Sequence, residues 1–259
     1  MSDLLTLLSG CLVGFSLGVF GGGGSILAVP MLLYVVGIPD AHVAIGTSAV
    51  AVAANASVNL VGHSRAGNVK WPCAAVFAVS GVLGAALGSS AAKAIDAQKL
   101  LFLFAIVMFA VGVAMLHPRA SHGDPAVRIN PSIAWRLVVV GLLTGAISGF
   151  FGIGGGFLIV PGIMLGSGMP VLNAIGSSLF SVAAFGFTTA ANYARSGLVD
   201  WKVALEFIAG GIIGGWLGMK VALRLAAKRR ALSYVFSGLV FVVATYMLVR
   251  TSLGLWKSS

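Results

Sequence analysis

Eight apolar stretches, residues 4–36, 43–61, 71–92, 100–116, 133–165, 171–193, 201–223 and 231–249, occupy most of this 259-residue chain. Crossing about 30 Å of hydrocarbon takes about 20 helical residues, and the gaps between the stretches are too short to hold a soluble domain. Only 8% of the residues are charged and the mean hydropathy is +1.05, so the chain lacks the ionic groups that a water-soluble surface of this size requires. These facts exclude an ordinary soluble enzyme and a disordered binding module. They predict an all-α polytopic protein of about 8 to 10 segments in membrane lipid.

Sixteen Lys and Arg against six Asp and Glu give a net charge of +10, but the cations fall in the gaps rather than along one face. They read as topology-setting cations beside anionic lipid and not as a nucleic-acid surface. Lys228, Arg229 and Arg230 form the densest group. Cys11 and Cys73 lie inside apolar stretches with no ligand-spaced partner, so they read as packing residues, and no disulfide, metal site or cofactor is expected. Leu8-Ser9-Gly10-Cys11 has the letters of a lipoprotein cleavage box. Asp3 stands where such a leader carries cations, however, and apolar sequence continues past the cysteine.

The chain repeats itself. Gly14, Gly18, Gly21, Gly23 and Gly24, ahead of Pro30 and Pro39, return 131 residues later as Gly145, Gly149, Gly152, Gly154 and Gly155, ahead of Pro161 and Pro170. Beyond the prolines the offset is 130: Gly46-Thr47-Ser48 matches Gly176-Ser177-Ser178, and Arg65, Gly67 and Trp71 match Arg195, Gly197 and Trp201. Gly81, Gly84 and Gly88 likewise match Gly211, Gly214 and Gly218. The expected organisation is a first membrane repeat, 1–116, a linker, 117–132, holding Pro118, Pro125 and Pro131, and a second repeat, 133–259. Duplicated halves are the common plan of secondary transporters, with substrate held near the midplane between them.

As one straight helix, residues 4–36 would be about 50 Å long, too long for a simple crossing, and Gly21–Gly24 cut the stretch. Two shorter helices meeting at the glycines return the chain to its starting side. Each half then makes an odd number of net crossings, and the halves are expected to be inverted repeats. With such hairpins ten cations fall on one side and six on the other, against nine and seven for eight plain crossings. The positive-inside rule therefore favours hairpins, with both termini outside the cytoplasm.

Contiguous glycines between apolar helices leave backbone N–H and C=O groups that hydrocarbon cannot satisfy. They belong where they line a wet cavity or are sealed in protein. The N–H groups of Gly24, Ser25 and Ile26, with Gly22 and Gly23 before them, are expected to aim at an anion; Gly154, Gly155 and Gly156 do the same from the second half. The alternative is that the glycines only permit close helix crossing. Thr47, Ser48, Asn55 and Asn59 set hydroxyls and carboxamides along one stretch, and Ser177, Ser178, Ser181, Thr189 and Asn192 do so on its counterpart. These can donate to an oxyanion or simply glue helices together. Arg65 and Arg195, at equivalent stretch ends, can pair with an oxyanion or snorkel to the surface. Glu206, the one acid well inside an apolar stretch, is the candidate for coupling to a proton or another ion. Asp40, His42 and His63 read as loop or end residues, and no two histidines have zinc spacing. Gly14-Phe15-Ser16-Leu17-Gly18 has the letters of a hydrolase elbow without its strand-to-helix setting or a mid-stretch histidine, so catalysis is not expected.

On Gly18 to Gly24 with Pro30, on Gly46-Thr47-Ser48, on Gly67 and Trp71, and on second copies at Gly149 to Gly156, Pro161, Gly176 and Gly197, the chain resembles the sulfite exporter TauE/SafE family. That family is also called the 4-toluene sulfonate uptake permease family, and the resemblance covers nearly the whole chain. It implies movement of small sulfur oxyanions and organosulfonates, such as sulfite or sulfoacetate, across a bacterial inner membrane. The family pattern maps onto Gly21 to Gly24, Pro30, Gly46, Thr47 and Ser48; the second half departs from it with Ile153 inside the glycine run and Ser177 in place of threonine. The expectation is a non-enzymatic secondary transporter, an exporter, working by alternating access. A passive anion channel is the alternative, and the reading leaves room for a homodimer.

Overall fold

The computed structural model describes residues 2–116, 127, 129–151, 156–224, 238 and 241–249, and the described residues form helices and no strand. Helix α1 (Ser2–Phe20) enters a buried 3-10 segment, Gly21–Leu27, continued by α2 (Ala28–Pro30) and a π-wound turn, Met31–Val36. The first half continues with α3 (Ala41–Arg65), α4 (Trp71–Ala92) and α5 (Ala97–Leu116). The second contains α6 (Pro131–Phe151), α7 (Gly156–Ser167), α8 (Val171–Arg195) and α9 (Trp201–Arg224), and residues 241–249 are also helical. Helix α6 starts at Pro131, inside the expected linker, most of which lies outside the described residues. Among the described residues six stretches are long and apolar enough to cross a membrane, 3–36, 41–65, 71–92, 131–151, 172–195 and 201–221; Gln98–Ala110 and Leu158–Ser167 are shorter apolar helices.

Local chemistry sets the boundaries. Asp40 caps α3, its carboxylate accepting the N–H groups of His42 at 2.7 Å and Val43 at 3.3 Å. Pro72 sits in the first turn of α4, where a missing N–H costs nothing. After α3 the chain leaves through Gly67 at φ 72°, and after α8 through Gly197 at φ 70°, the left-handed helix ending that glycine favours.

Gly21, at φ 63°, takes the same left-handed conformation, and a Cβ on Gly24 would strike the Ser16–Leu17 backbone. A straight helix would hold Gly24 and Ser16 about 12 Å apart, so the chain reverses at the glycines. Helix α7 also runs back along its predecessor, with Gly162 against Val140 and Thr144 and Gly166 against Leu137 of α6.

Two glycine seams tie the halves together. In α1, Gly10, Gly14 and Gly18 lie on the backbone of Phe207, Gly211 and Gly215 in α9. In α6, Gly141, Gly145 and Gly149 lie on the backbone of Phe77, Gly81 and Ala85 in α4. The repeat offsets of 131 and 130 convert one seam into the other. A Cβ at any of these glycines would overlap main-chain atoms of the facing helix, so only glycine permits this approach.

The contacts also set helix directions. Helices α1, α3 and α9 run one way, with Asn55, Asn59 and Gly62 meeting Gly211, Gly215 and Met219 in order. Helices α4, α6 and α8 run together, Gly81 meeting Phe185 and Ser89 meeting Asn192. Helices α3 and α8 cross in opposite senses, Gly46 against Tyr193 and Leu198, and Ala53 against Gly186. Val79, Leu83 and Leu87 of α4 and Leu205 and Ile213 of α9 point outward, an apolar perimeter suited to lipid.

Gly14→Leu or Gly145→Leu forces a side chain between touching backbones and is expected to cost at least roughly 1–3 kcal/mol. The measurement is the thermal midpoint in detergent, with Gly238→Ala, where none of the described residues lies within 4 Å, as the unaffected control.

Candidate substrate site

Residues 21–30 are all buried. The Gly22 N–H donates to Ser178 Oγ at 3.2 Å, the Ser178 hydroxyl donates to the Ile175 carbonyl at 2.7 Å, and the Ser25 hydroxyl donates to the Gly22 carbonyl at 2.9 Å. A Cβ on Gly21 would meet Ile175 and Ser178. The glycine turn of the first half is therefore seated on the first two turns of α8, and it also packs on α7. Main-chain groups that hydrocarbon could not satisfy are sealed by the other half. Gly23 and Gly24 are buried in the same turn and Gly156 opens α7, while Gly154 and Gly155 lie outside the described residues.

Thr47 Oγ1 accepts the Asp200 N–H and Ser177 Oγ accepts the Lys70 N–H, each at 2.9 Å. Asp200 and Lys70 immediately precede α9 and α4. Each hydroxyl thus holds the start of a long helix from the other half, and the 130-residue offset exchanges the two bonds. The Ser48 hydroxyl donates to the Ile45 carbonyl at 2.8 Å, the counterpart of the Ser178 bond to Ile175.

Asn55 and Asn59 press on Gly211 and Gly215 of α9. Asn59 Nδ2 donates to the Asn55 carbonyl at 2.9 Å, and neither side-chain polar atom of Asn55 has a partner among the described residues. The Ser181 and Thr189 hydroxyls are also buried without partners among the described residues. Asn192 is engaged elsewhere: its Oδ1 accepts from Lys93 Nζ at 2.7 Å, and its Nδ2 donates to Ser89 Oγ at 2.7 Å and Ser90 Oγ at 3.0 Å. Lys93 Nζ also donates to Ser196 Oγ at 3.0 Å, completing a polar cluster at the ends of α4 and α8. A sequence reading passes over Lys93 because it stands just beyond an apolar stretch; the adjoining Ser89-Ser90 pair is the one signal.

Arg65 and Arg195 are exposed at the C-terminal ends of antiparallel helices, so they stand at opposite faces and are not brought together. Glu206 lies 3.5 Å from Lys202, which also pairs with Asp3 at 3.2 Å. The acid therefore belongs to an ion-pair group near the start of α9 rather than standing isolated at depth. His63, read as an end residue, does lie in the last turn of α3, but it is buried there, its Nε2 3.5 Å from the Gly18 carbonyl and its Nδ1 without a partner among the described residues. The signal was its four-residue spacing from Asn59, which extends the polar stripe.

A family profile described as sulfite exporter TauE/SafE matches residues 6–247. The chain belongs to the sulfite exporter TauE/SafE family. It is 52% identical over 255 residues to a probable membrane transporter protein of Xylella fastidiosa, covering 96% of each chain. It is 26% identical to the probable membrane transporter protein YdhB of Bacillus subtilis, over 84% of this chain and 89% of that one. A probable membrane transporter protein of Methanocaldococcus jannaschii is 27% identical over 95% of each chain. No solved structure matches. This TauE/SafE family member is an integral multi-pass membrane transporter, and the names of the family and its relatives denote transport rather than catalysis.

Thr47→Val and Ser177→Ala each leave a main-chain N–H ahead of a long helix without its acceptor. Each is expected to cost about 1–3 kcal/mol, read as a lower thermal midpoint in detergent, with Thr47→Ser close to wild type.

Proposed function

We propose that this TauE/SafE family member is a secondary transporter that exports a small sulfur-containing anion, sulfite or an organosulfonate, across a bacterial inner membrane by alternating access. The observation that carries the reading is the Gly22 N–H on Ser178 Oγ. Inside the protein, polar backbone of one half meets a hydroxyl of the other, and an oxyanion can take the place of that internal bond. The oxygens on sulfur require N–H and O–H donors. Gly22, Gly23, Gly24 and Ser25 supply main-chain N–H groups, with Gly154, Gly155 and Gly156 as their counterparts. Thr47 and Ser177 accept one N–H each and retain a hydroxyl hydrogen to donate. Asn55 and Asn59 extend the donor set, and Ser48 and Ser178 join it by giving up their bonds to the Ile45 and Ile175 carbonyls. Arg65 and Arg195 act separately, each drawing the anion toward its own face. Asn192 acts through the Lys93 cluster.

The helix directions support reading the halves as inverted repeats, since α1, α3 and α4 run opposite to their counterparts α6, α8 and α9. On this reading both hairpin returns, α5 and the helix that includes residues 241–249 are membrane segments beside the six long spans, ten in all. Two interlocked halves around one site are the arrangement that alternating access requires.

The test is sulfite and isethionate flux into proteoliposomes. Wild type is expected to saturate, Gly23→Leu to abolish flux, and Arg195→Gln to lower it about tenfold at low ionic strength with recovery in salt. Unchanged flux in both variants would remove the site, and flux strictly linear in concentration would make the protein a channel.

A further inference from the structure

The duplication provides an internal comparison. Asn55, Asn59 and His63 of α3 correspond to Phe185, Thr189 and Tyr193 of α8. The surroundings correspond too, since Asn55 presses on Gly211 of α9 as Phe185 presses on Gly81 of α4. The scaffold therefore accepts aromatic rings where the first half carries a carboxamide and an imidazole. Buried polar groups without partners are costly; among the described residues Thr189 and Tyr193 each leave a hydroxyl unpartnered, whereas Asn55 leaves a whole carboxamide and His63 a ring nitrogen that can take a proton.

Among the described residues, His63 is the only histidine, carboxylate, lysine or arginine that is fully buried, at 1% exposed. Its Nε2 lies 3.5 Å from the carbonyl of Gly18, three residues ahead of left-handed Gly21, and its Nδ1 has no partner. Asn59 and Asn55 continue the stripe toward mid-depth, with the Asn55 carboxamide unpartnered.

The neighbouring elements bring little charge. Helix α1 presents the Gly18 carbonyl, and α9 presents Gly215 and Met219, with Lys220 carried over the Trp216 ring 3.2 Å from its centroid. Arg65, two residues along α3, is exposed. Residues 21–36 carry no charged side chain, and the one phenol there, Tyr34, packs on Tyr246 with ring centroids 5.1 Å apart. The ion pairs among the described residues all involve Lys202, so no carboxylate neutralises His63.

We propose that His63 is a proton site linked to anion binding at the glycine turn. The step is a simple proton transfer: a ring nitrogen takes a proton from water, both nitrogens become donors, and the proton is returned when the anion leaves. Nε2–H then faces the Gly18 carbonyl, and the new positive charge stands about one helical turn from Gly21 and Gly22, in surroundings where Coulomb attraction is strong. Proton and anion therefore strengthen each other's binding, and the coupling is reciprocal. The anion part of this inference rests on the transport reading above.

The probe is isethionate, whose sulfonate does not titrate near neutrality, added to the purified full-length protein in detergent. Wild type is expected to bind it about tenfold more tightly at about pH 5 than at about pH 8 and to take up a proton on binding, read with an indicator dye in weak buffer. His63→Gln and His63→Tyr, the latter placing in α3 the residue its counterpart already holds, are expected to lose both effects. Variants that keep the pH dependence, or wild-type affinity independent of pH, would overturn the proposal. If isethionate does not bind wild type at all, the sulfonate reading fails, and histidine NMR decides His63 alone. A ring resonance that disappears in His63→Gln and titrates between about pH 5 and pH 8 supports the proton site; one that does not move overturns it.

Discussion

Direct contact between helix backbones, α1 on α9 and α4 on α6, is the constraint on which the rest of the molecule depends. In hydrocarbon the helices gain no hydrophobic driving force from association, so close approach must supply the attraction through dispersion and weak polar contacts. Glycines four residues apart on one face allow it. Each seam takes the first helix of one half, α1 or α6, and the helix of the other that follows its polar stripe, α9 or α4. The halves consequently interlock, and α3 and α8 are left in the middle, with the Gly21–Leu27 segment landing on α8.

That arrangement also explains how an interrupted helix survives at membrane depth. The main chain around Gly22 is unsuited to lipid, but Ser178 and Ile175 of α8 and the backbone of α1 enclose it. The pairs Thr47 with Asp200 and Ser177 with Lys70 work in the same manner at the two ends of the molecule, each half securing a helix start in the other. Polar groups that look like free donors along a sequence are thus already committed to holding the scaffold, and any anion must share or displace those bonds.

Within this near-symmetric frame the side chains are not symmetric. One interface holds Gly62 against Met219; its counterpart holds Asn192 among Ser89, Ser90 and Lys93. Asn55 answers to Phe185, and His63 to Tyr193. The recurring glycines fix backbone geometry, whereas chemistry resides in the residues that fill the space left over, and these differ between the halves.

Much of the fold was legible along the chain because its signals are local or periodic. Apolar length reports membrane crossing, contiguous glycine reports a break, and the offsets of 131 and 130 report the recurring glycines on which both seams are built. Of the site, the glycine turn and the hydroxyls beside it were legible as residue types. Their partners were not, because Gly22 and Ser178 are 156 residues apart and Thr47 and Asp200 are 153 apart. Only tertiary structure decides such pairings. It also separated Arg65 from Arg195 by running their helices in opposite directions, drew Glu206 into an ion pair, and buried His63 beneath the Gly18 carbonyl. The sequence by itself determined where the chain can cross lipid and where its helices can touch. Which polar groups face one another was settled by the crossing of the two halves, because a polar atom's role depends on its partner, and the partner comes from the other half.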